Sequence, residues 1–244
     1  MVSKNQIKLI TSLQQKKYRA IHGLFVAEGV KVIQELLQAN FELHSLYQTE
    51  SLFESVPNEL KSLISSAELS KISALTTANN CLALFKIPAT VPLKEQGLIV
   101  ALDDIRDPGN LGTILRLCDW FGVTQLVCSK ETVDLYNPKV VQATMGSISR
   151  VKVSYVDLLE WIVCAKLPVY GALMDGENIY KGDFPKEAII VLGNEANGIN
   201  KELEKSIKNR ITIPRFGKLQ QTESLNVATA TAIILSEFCR NQAL

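Results

Sequence analysis

The chain has 244 residues, 47% of them hydrophobic and 21% charged, enough to bury a sizeable core in one large or two small domains. No run approaches eighteen uninterrupted apolar residues, so the sequence offers no membrane-spanning helix. The formal net charge of +1 excludes recognition of a nucleic acid by bulk charge, and any such contact has to rest on local clusters.

One such cluster opens the chain. No acidic residue precedes Glu28, whereas Lys4, Lys8, Lys16, Lys17, Arg19 and His22 all do. The stretch reads as a transit segment, against which the scarcity of arginine argues, as a solvated helix face, or as an electrostatic footprint for phosphates. Residues 24–27 read as a buried strand. Beyond Gly29, the apolar residues Val32, Ile33, Leu36 and Leu37 recur at helical spacing. Residues 41–47 and 82–85 read as further strands, with a polar stretch of helix and loop over 51–80. Pro88 and Pro92 favour extended chain, which predicts a small α/β domain over 1–88 and a linker over 89–96.

From residue 97 to 244 the alternation becomes regular and predicts one domain. Strands are expected at 98–103, 125–127, 151–153, 169–172, 188–192 and 211–213. Helices are expected at 110–121, 139–145, 158–165, 201–207 and 226–238. The first helix should bury Leu111, Ile114, Leu115 and Cys118. Strand–helix alternation of this kind predicts a parallel sheet covered on both faces. Ligands of such sheets bind at the carboxyl ends of strands, which directs attention to the loops after Asp103, Leu192 and Ile213. Cys81, Cys118, Cys128, Cys164 and Cys239 form no CxxC pair, and the chain has two histidines, so no metal centre is expected. The cysteines read as reduced thiols serving as small core residues, in keeping with a cytoplasmic protein.

The loop after Asp103 carries Asp107-Pro108-Gly109-Asn110-Leu111-Gly112 and, further on, Arg116. Its glycines do not supply the GxGxxG fingerprint of a dinucleotide fold. Asn110 reads as a helix N-cap, and Arg116 as either an exposed surface arginine or a phosphate anchor. Asn110 and Arg116 can both face the loop side only if the helix starts late. In the loop after Leu192, Gly193 suggests close approach of a ligand to the backbone, and Glu195 reads as a cap of the next helix, a solvated loop charge, or a group that orients a hydroxyl or a cation. In the third loop, Ile213-Pro214-Arg215 leads to Ser224-Leu225-Asn226, where Ser224 or Asn226 opens the last helix.

Together these segments resemble the three signature motifs of the SpoU–TrmH group of RNA ribose 2′-O-methyltransferases in the SPOUT superfamily. The first is matched by Asp107, Pro108, Asn110, Gly112 and Arg116, the second by Gly193, Glu195 and Gly198, and the third by Ile213, Pro214 and Ser224 to Val227. The stretch from Lys17 to Val32, with Arg19, Phe25, Glu28 and Gly29, is similar to the L30e-like substrate-binding domain of that group. The resemblance implies an α/β fold ending in a deep trefoil knot, S-adenosylmethionine as cofactor, a homodimer, and a structured RNA as substrate, ribosomal in preference to transfer RNA. It implies cofactor contacts at Gly193, Ile213 and Leu225, reaction chemistry at Arg116, Asn110, Glu195, Ser224 and Asn226, and RNA contacts at Lys16, Lys17 and Arg19. The chain departs from the group's pattern in a longer segment from Lys218 to Glu223. A non-catalytic RNA-binding protein of the same fold and a base-directed methyltransferase are the alternatives.

Overall fold

The computed structural model describes residues 1–217, 219 and 224–240. In chain order the elements are α1 (Lys4–Ser12), α2 (Lys16–His22), β1 (Leu24–Glu28), α3 (Val30–Gln38), β2 (Leu43–Gln48), β3 (Lys61–Leu63), α4 (Ser66–Ile72), β4 (Cys81–Lys86), β5 (Leu98–Leu102), α5 (Pro108–Trp120), β6 (Gln125–Ser129), α6 (Pro138–Thr144), β7 (Lys152–Val156), α7 (Leu158–Val163), β8 (Val169–Asn178), β9 (Ala188–Leu192), α8 (Lys201–Ser206), β10 (Asn209–Thr212) and α9 (Val227–Arg240). The chain divides into two compact units. One comprises Met1–Thr90 with Asp134–Arg150, the other Val91–Val133 with the chain from Val151 on. The first division falls inside the proline-marked stretch. The segment 134–150, which lies between β6 and β7 in sequence, packs with the amino-terminal unit.

In the amino-terminal unit the sheet order is β1-β4-β2-β3. β4 runs antiparallel to β1 and β2, and β3 parallel to β2. The helix α1 begins with a reciprocal capping box, Ser3 accepting from the Gln6 amide while the Gln6 side chain accepts from the Ser3 amide. A second box joins Ser65 and Glu68 at α4. Backbone amides of Ser65 and Val2 hold the Glu68 carboxyl down at about 2. The amphipathic α3 buries Val32, Ile33 and Leu36, as its spacing predicts. Phe25 on β1 contacts Phe41, Phe85 and, on the inserted segment, Tyr136 at 4.7 Å between ring centres. At the end of that segment Met145 and Gly146 both take positive φ, and a Cβ on Gly146 would sit 2.8 Å from the Glu35 side chain. Arg150 closes the corner with a 2.6 Å ion pair to Glu35.

In the second unit the sheet order is β10-β8-β9-β5-β6-β7, and every neighbouring pair is parallel. β5, β6 and β9 are buried at every residue, and β5 and β9 accordingly read as unbroken apolar runs. One face packs on α7 and α8 through Ile99, Ala101, Val127, Ile189 and Val191 against Leu158, Ile162, Leu203 and Ile207. Along β8, Val169 packs on that side, so Tyr170 points to the opposite face, where it meets Phe238 of α9. The helix α5 packs beside α9 and buries Leu111, Ile114, Leu115 and Cys118 completely. Burial raises the Cys118 and Cys128 thiols, and Cys81 to about 11, as expected of core cysteines. Cys164 departs from that expectation and is exposed. No helix among the described residues is long and apolar enough to cross a membrane.

Candidate active site at the carboxyl ends of the central strands

Chain order reverses between β9 and β5, so a crevice is expected above their carboxyl ends. The two strands end level, Leu102 opposite Leu192, with the Asp103 amide donating to the Leu192 carbonyl at 2.9 Å. The two loops therefore start side by side. Asn194 ties them together. Its Nδ2 donates to the Asp104 carbonyl at 2.7 Å, and its Oδ1 accepts from the amides of Ala196 and Asn197. Asp103 accepts from the Asn200 amide at 2.6 Å, and burial pushes its carboxyl up despite that bond. Sequence reasoning passed over these residues. An Asn beside a Gly at a strand end is the turn signal that marks Asn194.

Between these anchors the chain from Asn194 to Gly198 closes on itself with two backbone bonds of 3.0 and 2.8 Å. The expectation for Gly193 needs correcting here. A Cβ on Gly193 would lie 2.1 Å from the Gly198 carbonyl carbon and 2.2 Å from the Ile199 nitrogen. The space that glycine leaves is taken by the returning chain rather than kept open for a ligand.

The helix α5 starts early. Asp107 is its N-cap, accepting from the Asn110 amide at 2.8 Å, and Pro108 fills the first turn. Asn110 is thus the third helical residue and not the cap, which frees its side chain. Its Nδ2 donates to Glu195 Oε1 at 2.5 Å, and its Oδ1 accepts from Asn226 Nδ2 at 2.9 Å. Asn226, in turn, caps α9, its Oδ1 accepting from the amides of Ala228 and Thr229. The cap fixes the direction of the whole chain of bonds. The amides of α9 orient Asn226, Asn226 orients Asn110, and Asn110 presents its donor to Glu195. The second Glu195 oxygen has no partner among the described residues, and Glu195 is exposed.

Asn110, Glu195 and Asn226, one from each sequence motif, thus form one network. Arg116 stands outside it. Six residues along α5 turn the helix by about 600°, leaving Asn110 and Arg116 about 120° apart. Arg116 is exposed on the side of Trp120, which is 84% exposed, and makes no hydrogen bond or ion pair among the described residues. Ser224 is exposed, Ile213 half-buried, and Leu225 is 45% exposed despite its apolar side chain. Lys218 and Gln220 to Glu223, most of the lengthened segment, lie outside the described residues. Among the described residues no cluster of His, Cys, Asp or Glu could hold a metal ion.

In the amino-terminal unit Lys16 and Lys17 are exposed, but Arg19 is 2% exposed. Its guanidinium pairs with Asp134 and donates to the carbonyls of Leu13 and Gln14 at 2.8 and 2.9 Å. Arg19 is a fastener between α2 and the inserted segment, and its charge is not offered to a ligand. Arg19→Ala should destabilise this unit by about 3 kcal/mol, because Asp134 loses a largely buried partner. Urea denaturation of the full chain reads this, and a loss below about 1 kcal/mol would make the pair dispensable.

The class is a parallel α/β sheet whose three motif loops are joined by one polar network above the central strands. The SpoU rRNA methylase family model matches residues 97–236, and the MRM3-like substrate binding domain model matches residues 4–83. The chain is 28% identical to the 23S rRNA (guanosine(2553)-2′-O)-methyltransferase RlmP of Bacillus subtilis over 96% of both chains. A TrmH-family RNA methyltransferase structure from Porphyromonas gingivalis superposes with a TM-score of 0.89, 38% identity and 99% of each chain covered. The AdoMet-bound rRNA methyltransferase of Sinorhizobium meliloti gives 0.87 at 28% identity, covering 99% of this chain and 97% of that one. The chain belongs to the SpoU rRNA methylase family.

Proposed function

We propose that this protein transfers the methyl group of S-adenosylmethionine to a ribose 2′-hydroxyl of ribosomal RNA, as a cytoplasmic homodimer with a knotted carboxyl-terminal domain. The observation that carries the reading is the bonded series Asn226–Asn110–Glu195, which links the three motif loops and leaves one carboxylate oxygen free to accept a hydroxyl proton. Full-length relatives with rRNA 2′-O-methyltransferase names support ribosomal RNA over transfer RNA.

The residues present suit the cofactor. The self-closing loop at Gly193, the half-buried Ile213 and the exposed Leu225 offer backbone polar groups and apolar surface for an adenosyl group. When bound, the cofactor supplies a methyl carbon on a sulfonium, whose leaving group is a neutral thioether. The protein's own task is alignment of the hydroxyl oxygen and assistance to its proton. Glu195, held by Asn110, accepts from the 2′-hydroxyl and sets its direction. Asn226 and Ser224 hold the loop against the substrate. Arg116 takes a neighbouring phosphate, which eases proton removal. A guanidinium holds its proton too firmly to act as the base itself.

Isothermal titration with S-adenosylmethionine and transfer of a tritiated methyl group to bulk rRNA test the reading together. Binding, followed by nuclease digestion that leaves the label on the sugar, is the expected result. A folded protein that binds no cofactor would leave an RNA-binding role alone, and label on a base would make the enzyme base-directed.

A further inference from the structure

Resting on the reading above for its RNA partner, we propose that the groove between α1 and α2 is a stacking subsite for an unpaired nucleotide of the substrate RNA. The groove has a volume of about 510 Å³ and is lined in part by Asn5, Lys8, Ser12, Gln15, Tyr18 and His22. That volume is in the range that takes a nucleotide-sized ligand.

Its chemistry selects the occupant. Tyr18 and His22 stand one turn apart on α2, their rings within 20° of parallel and 6.5 Å between centres. His22 is exposed, and Tyr18 is half-buried. The Lys17 ammonium lies 5.9 Å from the centre of the Tyr18 ring. Lys8 and Lys17 put positive charge beside the rings, and none of the described residues lining the groove is acidic. Three acids of the surrounding unit are engaged elsewhere: Asp134 by Arg19, Glu28 by Ser73 and the Ala74 amide, Glu68 by the amides of Val2 and Ser65. No carboxylate in the groove's described lining offsets that charge.

The walls are helical, so they present no free strand edge for an extended peptide. Duplex RNA, held through its phosphates, has no use for the two rings. A flipped or single-stranded base uses both features, stacking on the rings while its phosphates meet the lysines, with Asn5, Ser12 and Gln15 in reach of its edge. The site differs from the expectation centred on Arg19, because that side chain turns inward and leaves the rings outward.

The test measures binding of fluorescein-labelled RNA to the full-length protein, comparing a short single strand with a duplex of equal length. Tyr18→Ala combined with His22→Ala should weaken the single strand at least about tenfold and the duplex far less. Tyr18→Phe, which keeps the ring, should bind like the parent. Equal losses for both RNAs, or none, would overturn the stacking role. A readout on the unaltered protein guards against misfolded variants: irradiation with RNA carrying 5-iodouridine should cross-link Tyr18 or His22. Cross-links found only elsewhere would overturn the proposal. Cofactor titration and methyl transfer by the unaltered protein report on the enzyme reading separately, so a protein that methylates rRNA but shows no effect at Tyr18 and His22 defeats the subsite alone.

Discussion

Arg116→Ala should cut methyl transfer by at least about a hundredfold, with the affinity for S-adenosylmethionine nearly unchanged. The side chain is exposed and has no partner among the described residues, so its loss should shift stability by no more than about 0.5 kcal/mol. Any fall in turnover then reports on substrate rather than on folding. Arg116→Lys keeps a charge but not the planar fork that matches a phosphate, and should recover part of the rate. Single-turnover transfer with saturating cofactor measures both variants. Turnover retained in the alanine variant, or lost together with cofactor affinity, would move the chemistry away from this residue.

A second large effect is expected at Gly193. Any side chain there meets the backbone of Gly198 and Ile199 at 2.1 to 2.4 Å, closer than non-bonded atoms approach, and backbone cannot swing aside as a flexible side chain can. Gly193→Ala should therefore force the loop open, break the paired bonds between Asn194 and Gly198, and draw Glu195 away from Asn110. We expect the cofactor Kd to rise at least about a hundredfold, which corresponds to roughly 3 kcal/mol. The six-stranded sheet should survive, since its core does not depend on the loop. Calorimetric titration beside a circular dichroism melt separates the two: an unchanged Kd would show that the loop's closed form does not hold the cofactor.

Much of the second unit was legible because its physics is local. β5 and β9 are apolar at every position, and the buried stripe of α5 recurs at helical spacing. The three loops could be found because parallel sheets put their ligands at strand ends. What lay beyond reach was direction and closure. Asn110 looked like a cap, and only the early start of α5 at Pro108 shows that Asp107 takes that part and releases Asn110 toward Glu195. Gly193 suggested room for a ligand, whereas the tight return at Gly198 depends on a contact five residues on. Arg19 counted as surface charge because its partner Asp134 lies 115 residues away. The helix α1 had a readable start in Ser3 and Gln6, but its polar composition hid the periodicity that reveals helices.

The place of residues 134–150 carries a consequence for how the molecule is made. The amino-terminal unit borrows one wall from a stretch that follows β6, so its core is not closed when the ribosome has passed Thr90. Phe25 must wait for Tyr136, Arg19 for Asp134, and Glu35 for Arg150. The two units thus cannot mature one after the other like beads on a string. The first remains unfinished until two strands of the second have been synthesised and the chain has returned to it.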